Sequence, residues 1–246
     1  MVLIGRAIRV LVGWLDLALH TFVMWALALL PRCWTTHWYP GLFPAWCRSF
    51  VRALRVDLRL HQHQRTPLPQ RYLLVANHPS AFEDIGIPAL FPVDSLAKEA
   101  VRDWWVVGRI AERAGTIFVQ RSDKPSRREA ADRIVHELLR GRCVAIYPEG
   151  GCQGRRLARR FHYGAFDIAR RAGVPVVPVF IHYEAQECFE WLQQSLPRKI
   201  LEIATAPNRR AHYHVFEPFW PEDYEGVCHF HDVVYAQYLS WQRRFI

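Results

Sequence analysis

Repeated changes of period constrain this chain more than any other feature. From about residue 70 onward, short apolar runs of strand type at 72–76, 95–97, 117–119, 143–147 and 176–181 alternate with helically spaced stretches at 85–90, 101–114, 126–141 and 165–172. Strands separated by helices are joined by crossovers, pair in parallel and are covered on both faces. The expected fold is therefore α/β, with a largely parallel central sheet flanked by helices. In such sheets ligands gather at the carboxyl ends of the strands, so the polar residues following the apolar runs are the first candidates for chemistry. Further strands at 200–204 and 211–216 are expected at the sheet edge, with a closing helix at 231–244. Ser126-Arg127-Arg128-Glu129 has the form of a capping box and is expected to start the helix that runs to Gly141.

The start of the chain follows a different pattern. Residues 2–30 are mostly apolar, and their interruptions Arg6, Arg9, Gly13, Asp16 and His20 fall at spacings of three and four, on one narrow helical stripe. A helix so apolar elsewhere would be exposed on a small soluble domain, so a bilayer or interfacial location is expected, with Pro31 ending it. Residues 11–30 have the ~20-residue length of a span, and Asp16 within them needs a partner. A second helix at 43–55, with Pro44 in its first turn, places Arg48, Arg52 and Arg55 on one face, as an interfacial helix would toward lipid phosphates. Trp34, Trp38 and Tyr39 are of the type found at headgroup depth. Residues 1–56 are thus expected to form a membrane-associated helical segment and 57–246 the α/β domain. The alternative is a soluble helical hairpin packed on that domain.

The 32 Lys+Arg against 23 Asp+Glu give a net charge of +9, and only Lys98, Lys124 and Lys199 are lysines. Nearly all the positive charge is therefore guanidinium, which suits anionic partners and grips phosphate through a planar fork. No dense basic run is interleaved with aromatics, so nucleic acid is not an expected partner. Cysteines 33, 47, 143, 152, 188 and 228 form no C-x-x-C pair, which speaks against zinc fingers, redox motifs and a disulfide framework and for reduced thiols facing the cytosol. Cys228-His229-Phe230-His231-Asp232 contains metal-ligand types without a second cluster to complete a site; a surface turn and no metal are expected.

Four motifs carry chemistry. Asn77-His78-Pro79-Ser80-Ala81-Phe82-Glu83-Asp84 sets a histidine at the end of a strand with carboxylates five and six residues later. An imidazole held by a carboxylate on one nitrogen can take a proton on the other and turn a hydroxyl into a nucleophile; taken alone, a solvated turn explains the pair equally well. Gly115-Thr116-Ile117-Phe118-Val119-Gln120-Arg121 places an arginine just past a strand. Tyr147-Pro148-Glu149-Gly150-Gly151 ends another, and Val174-Pro175-Val176-Val177-Pro178-Val179 opens a third. With these motifs in this order over roughly residues 70–185, the sequence resembles the glycerophospholipid acyltransferase family, whose bacterial members include 1-acylglycerol-3-phosphate acyltransferases.

The resemblance implies a membrane-bound O-acyltransferase at the cytoplasmic face. It would move a fatty acyl group from acyl-CoA or acyl carrier protein to the hydroxyl of lysophosphatidic acid, another lysophospholipid or a related polar lipid, with no cofactor. His78 matches the general base for direct attack on the thioester, without an acyl-enzyme. Arg121 matches the arginine for the acceptor's phosphate, Glu149 and Gly150 the glutamate-glycine pair, Pro178 a proline that shapes the site, and Lys98 a lysine near the reacting carbonyl that would stabilise the oxyanion. Two departures bear on this. Spacing favours Glu83 as the histidine's partner, whereas residue type favours Asp84; spacing carries the greater weight. Gly151 and Cys152 stand where the family usually continues with Thr-Arg, so Arg155 and Arg156, with Arg159 and Arg160, become candidates for headgroup binding. Competing readings are a hydrolase, in which His78 activates water although no Gly-x-Ser-x-Gly elbow is present, and a non-catalytic lipid-binding protein.

Overall fold

Alternate residues of each central strand enter different cores, and that split organises the molecule. The computed structural model describes residues 2–191 and 195–246. In chain order its elements are α1 (Val2–Ala28), α2 (Arg32–Thr35), α3 (Tyr39–Leu54), β1 (Asp57–Gln62), β2 (Leu73–Ala76), α4 (Glu83–Leu90), β3 (Asp94–Lys98), α5 (Val107–Ala114) and β4 (Ile117–Val119). There follow α6 (Lys124–Leu139), β5 (Val144–Ile146), α7 (Gly164–Ala172), β6 (Val176–Tyr183), α8 (Gln186–Phe189), α9 (Leu196–Thr205), β7 (Arg210–Val215) and α10 (Val227–Phe245). Among the described residues the strands form one seven-stranded sheet, ordered β1-β7-β6-β2-β5-β3-β4. All its pairings are parallel except β6 with β7.

Leu73 and Val75 of β2 pack with Ile134 of α6, Phe166 of α7 and Tyr238 of α10. Leu74 and Ala76 enter the opposite core, with Leu54, Ile87, Phe189 and Ile203. Both faces are covered, which is why these strands read as continuous apolar runs.

A third core joins α1, α3 and α5 through Leu17, Met24, Trp46 and Ile110. Asp16 finds its partner there, since Arg52 of α3 donates to it at 2.7 Å. Arg6 belongs to the expected polar stripe, but its side chain lies outside the described residues. On the outward side, Ile8, Val12, Leu15, Leu19 and Phe22 are each more than half exposed, at spacings of four, three, four and three. Over Ala7–Ala28 the helix is long and apolar enough to cross a membrane.

Several local expectations are corrected. α3 starts at Tyr39 with Pro40 in its first turn, so Pro44 is interior. Its Trp46, Phe43 and Leu54 are buried while Arg48, Arg52 and Arg55 stay exposed. Tyr39 is not at the surface with Trp34 and Trp38; it is buried, and its hydroxyl donates to the Met24 carbonyl at 2.8 Å. Only Val107–Ala114 of the 101–114 stretch is α-helical, because a turn before it swings Trp105 edge-on to Trp25, 5.5 Å away. The cap of α6 is Asp123, which accepts from the Ser126 N–H at 2.8 Å, while the Ser126 hydroxyl accepts from Gln120 N–H. Residues 200–204 lie in α9, a helix opened by Pro197, whose Lys199 and Ile203 face inward one turn apart. β7 is interior, because β1 adds outside it from Asp57↔Arg210 and takes the edge. Residues 228–232 form the first turns of α10 rather than a surface turn, with His231 buried and hydrogen-bonded to the Phe161 carbonyl at 3.0 Å. The six cysteines are unpaired.

Candidate active site

β2 lies between β6 and β5, and since β2 and β5 run parallel, the segments leaving their carboxyl ends meet. The amide of Asn77 clamps the first of these to β6, donating to the Ile181 carbonyl at 2.8 Å and accepting from its N–H at 2.6 Å. Glu149 braces the second. Its carboxylate accepts from the backbone N–H of His78 and of Ala158, each at 2.6 Å, while Gln153 N–H donates to the His78 carbonyl at 3.0 Å. Glu149 is therefore a bracket between loops, and burial raises its carboxyl pKa against the pull of those two donors.

Within that bracket His78 and Glu83 are both buried, with the imidazole Nδ1 at 2.8 Å from Glu83 Oε2. Tyr147 stacks on the ring, centroids 4.1 Å apart and planes within 8°. Glu83 Oε2 also accepts from Ser80 N–H at 2.9 Å, and Oε1 accepts from the Tyr183 hydroxyl, which lies 3.3 Å from the Tyr213 hydroxyl. Gly86 makes room for this relay, because a Cβ there would fall 2.1 Å from the Tyr213 oxygen. A carboxylate surrounded by donors leaves Nδ1 as the protonated nitrogen and Nε2 as the lone pair. Burial pushes Glu83 up and the donors from Tyr183 and Ser80 oppose it. Burial also holds His78 below its ordinary 6.5, so the ring is neutral. Asp84 is half-buried and its carboxyl is raised by burial. It acts on His78 through charge, and among the described residues its carboxylate makes no hydrogen bond to the ring.

The open Nε2 faces Cys152, whose sulfur lies 3.5 Å from it and 3.2 Å from the Ser80 carbonyl. Burial, then the charges of Glu83 and Asp84, push this thiol upward, so it is protonated. Arg121, just past β4, donates to the Gly150 carbonyl at 2.7 Å. Gly150 has φ +75°, and a Cβ there would come within 2.8 Å of the His162 ring. A cleft of about 510 Å³ begins at Arg121, Tyr147 and Gly150 and runs between α6 and α7 over Val119, Ile134 and Ile168.

The expected site residues thus separate into two sets. His78, Glu83, Asp84, Glu149, Gly150 and Arg121 converge on the loops after β2, β4 and β5. Lys98 is exposed at the end of β3, paired with Val119 through the backbone ladder, and its side chain makes no hydrogen bond or ion pair among the described residues. Arg155 and Arg156 are exposed on the loop after Gly151, where the Arg155 N–H donates to Glu190 at 3.2 Å. Sequence reasoning missed Tyr183 and Tyr213. The available signal was the period of β6 and β7, which puts both on the same face as Val179, Ile181 and Val215.

A family model described as Acyltransferase matches residues 57–182. A lyso-ornithine lipid O-acyltransferase of Pseudomonas aeruginosa is 37% identical over 139 residues, 56% of this chain and 52% of that protein. A 1-acyl-sn-glycerol-3-phosphate acyltransferase of Neisseria gonorrhoeae is 28% identical over 115 residues, 47% and 45% of the two chains. The chain spans about half the length of the curated relatives it matches. The crystal structure of a 1-acyl-sn-glycerophosphate acyltransferase from Thermotoga maritima superposes with a TM-score of 0.65 at 17% identity, covering 99% of this chain and 97% of that one, and shares the fold.

Proposed function

The chain belongs to the Acyltransferase family, and on that premise we propose that it transfers a fatty acyl group from an acyl thioester, acyl-CoA or acyl carrier protein, to the hydroxyl of a lysolipid at a membrane surface. The observation that carries this reading is the buried His78–Glu83 pair, 2.8 Å apart, which turns Nε2 away from the carboxylate toward the Cys152 thiol. Nε2 takes the acceptor's hydroxyl proton as the oxygen attacks the thioester carbonyl. Glu83 stabilises the imidazolium that forms. Collapse of the tetrahedral intermediate breaks the C–S bond, and the departing thiolate recovers the proton from Nε2. Cys152 is not the nucleophile here, because its environment favours the thiol.

Arg121 stands at the charged mouth of the cleft and the apolar walls behind it suit an acyl chain. Arg155 and Arg156 extend the basic rim toward a headgroup, and Lys98 supplies positive charge to the oxyanion from the end of β3. The outward stripe of α1 enters the membrane from its cytoplasmic face. Both lyso-ornithine lipid and lysophosphatidic acid are acceptors to try, since both classes are named among the relatives.

The test supplies labelled acyl-CoA and each lysolipid to membranes containing the protein. Labelled acylated lipid is expected; labelled free fatty acid would show a hydrolase, and neither product a lipid-binding protein. Arg121→Ala is expected to raise the acceptor KM about tenfold or more while leaving the donor KM nearly unchanged. Equal changes would assign Arg121 to holding Gly150 alone.

A further inference from the structure

Five histidines share one face at the edge of the sheet, away from the cleft. In the ladder His61 of β1 pairs with His214 of β7, and His182 of β6 pairs with His212 of β7, while His63 follows just beyond β1. Period two places them on the side opposite Tyr183 and Tyr213. The rings form two hydrogen-bonded chains. Glu184 Oε1 lies 3.0 Å from His212 Nε2, and His212 Nδ1 lies 2.9 Å from His61 Nε2. His214 is 2.9 Å from His63 through Nδ1 and 3.2 Å from His182 through Nε2.

The first chain fixes its own tautomers. The Glu184 carboxylate can only accept, so His212 carries its proton on Nε2 and turns the Nδ1 lone pair toward His61. A histidine whose second nitrogen is held by a carboxylate is the arrangement that orients a metal ligand.

We propose that His61, His212 and His214 form a binding site for a divalent transition-metal ion of imidazole preference, zinc being the type, with Glu184 orienting His212. One ligand atom from each of the three histidines lies within 4.8 Å of the others. A tetrahedral zinc with bonds of about 2.0–2.1 Å separates its ligand nitrogens by roughly 3.3 Å, so the His61 and His212 nitrogens at 2.9 Å part slightly, while a His214 nitrogen within 4.8 Å of them closes in and gives up His63 or His182. His61 moves its proton from Nε2 to Nδ1 as the ion enters, which frees both facing lone pairs without net proton release. His61 and His212 are half-buried and give the ion its entry, and solvent completes the coordination. Arg59, close to His61, Arg244, close to His63, and Arg210, which pairs with Glu184 at 3.2 Å, oppose a cation, and Glu184 and Asp57 are the anions set against them, Asp57 pairing with Arg59 at 2.7 Å. The site is independent of acyl transfer.

Full-length protein in detergent, freed of metal with a chelator, is dialysed against Zn²⁺ alone and the bound metal counted. One equivalent per chain is expected. His61→Asn and His212→Asn should lose it at the zinc concentration that saturates the parent. Glu184→Gln should weaken binding about 10- to 100-fold, and His136→Asn on α6 should change nothing. Less than one equivalent in the parent, or full loading of the cluster variants, would overturn the assignment. Co²⁺ loaded into the unmutated protein gives an answer that does not depend on any variant folding: absorption from nitrogen ligands without a thiolate charge-transfer band is expected, and such a band would move the metal to cysteine.

Discussion

α1 turns Ile8, Val12, Leu15, Leu19 and Phe22 outward, while the loops after β2 and β5 turn His78, Glu83 and Glu149 inward. Each region inverts the usual relation between polarity and burial, and the two differ in what compensates. Every buried polar group at the site has a partner within the fold: Ser80, Tyr183 and His78 for Glu83, and the His78 and Ala158 amides for Glu149. The outward stripe of α1 has no such cover among the described residues. Buried charge is stabilised by specific neighbours, and an exposed apolar stripe by a medium. The first is sensitive to single atoms and the second to summed area, so mutations in the two regions should behave differently.

The largest effect is expected at the site. His78→Ala should lower acyl transfer by about 10²–10⁴-fold while the protein still melts cooperatively, because no other base sits on that loop. The same residue sets the pH dependence. Its pKa is held below 6.5 by burial, and only the neutral ring accepts a proton, so the rate should stay level above 6.5 and fall as pH drops below it. An acid limb centred above 6.5 would contradict the desolvated environment. Vesicle binding should respond to area instead. Leu15→Gln or Leu19→Gln alone should weaken it about tenfold, and the two together about multiplicatively, with turnover in detergent retained. Unchanged vesicle binding by the double variant would break the contrast. The smallest effect is expected where the regions touch: Asp16→Asn removes the partly exposed pair with Arg52 and should change stability by no more than about 1 kcal/mol, read from denaturant midpoints.

Much of the central sheet was legible because a strand covered on both faces must be apolar at every position, as Leu73, Leu74, Val75 and Ala76 are. β1 was not, since an edge strand keeps outward polar residues such as Asp57 and Arg59 and leaves only Leu58 and Leu60 to mark it. Residues 200–204 suited either period, and Lys199 decided for a helix by burying its stem and reaching Glu202 at 2.6 Å. At the site, His78 in the loop after β2 and the two acids in the first turn of α4 lie close together in the chain and could be read together. Tyr183 is 100 residues from Glu83, and only the meeting of β6 with the loop after β2 brings its hydroxyl to the carboxylate. Cys152 opposite Nε2 is likewise a product of two loops converging, and its replacement of a more usual residue gave no hint of where the sulfur would lie.

The central claim is that Glu83, through Nδ1, makes His78 a base. It is tested most directly by single-turnover acyl transfer in vesicles for Glu83→Gln and Asp84→Asn, each checked for unchanged melting. Glu83→Gln should lose about as much as His78→Ala, on the order of 10²–10⁴-fold, and Asp84→Asn at least ten times less. A larger loss in Asp84→Asn, or near-normal transfer in Glu83→Gln, would contradict the pairing.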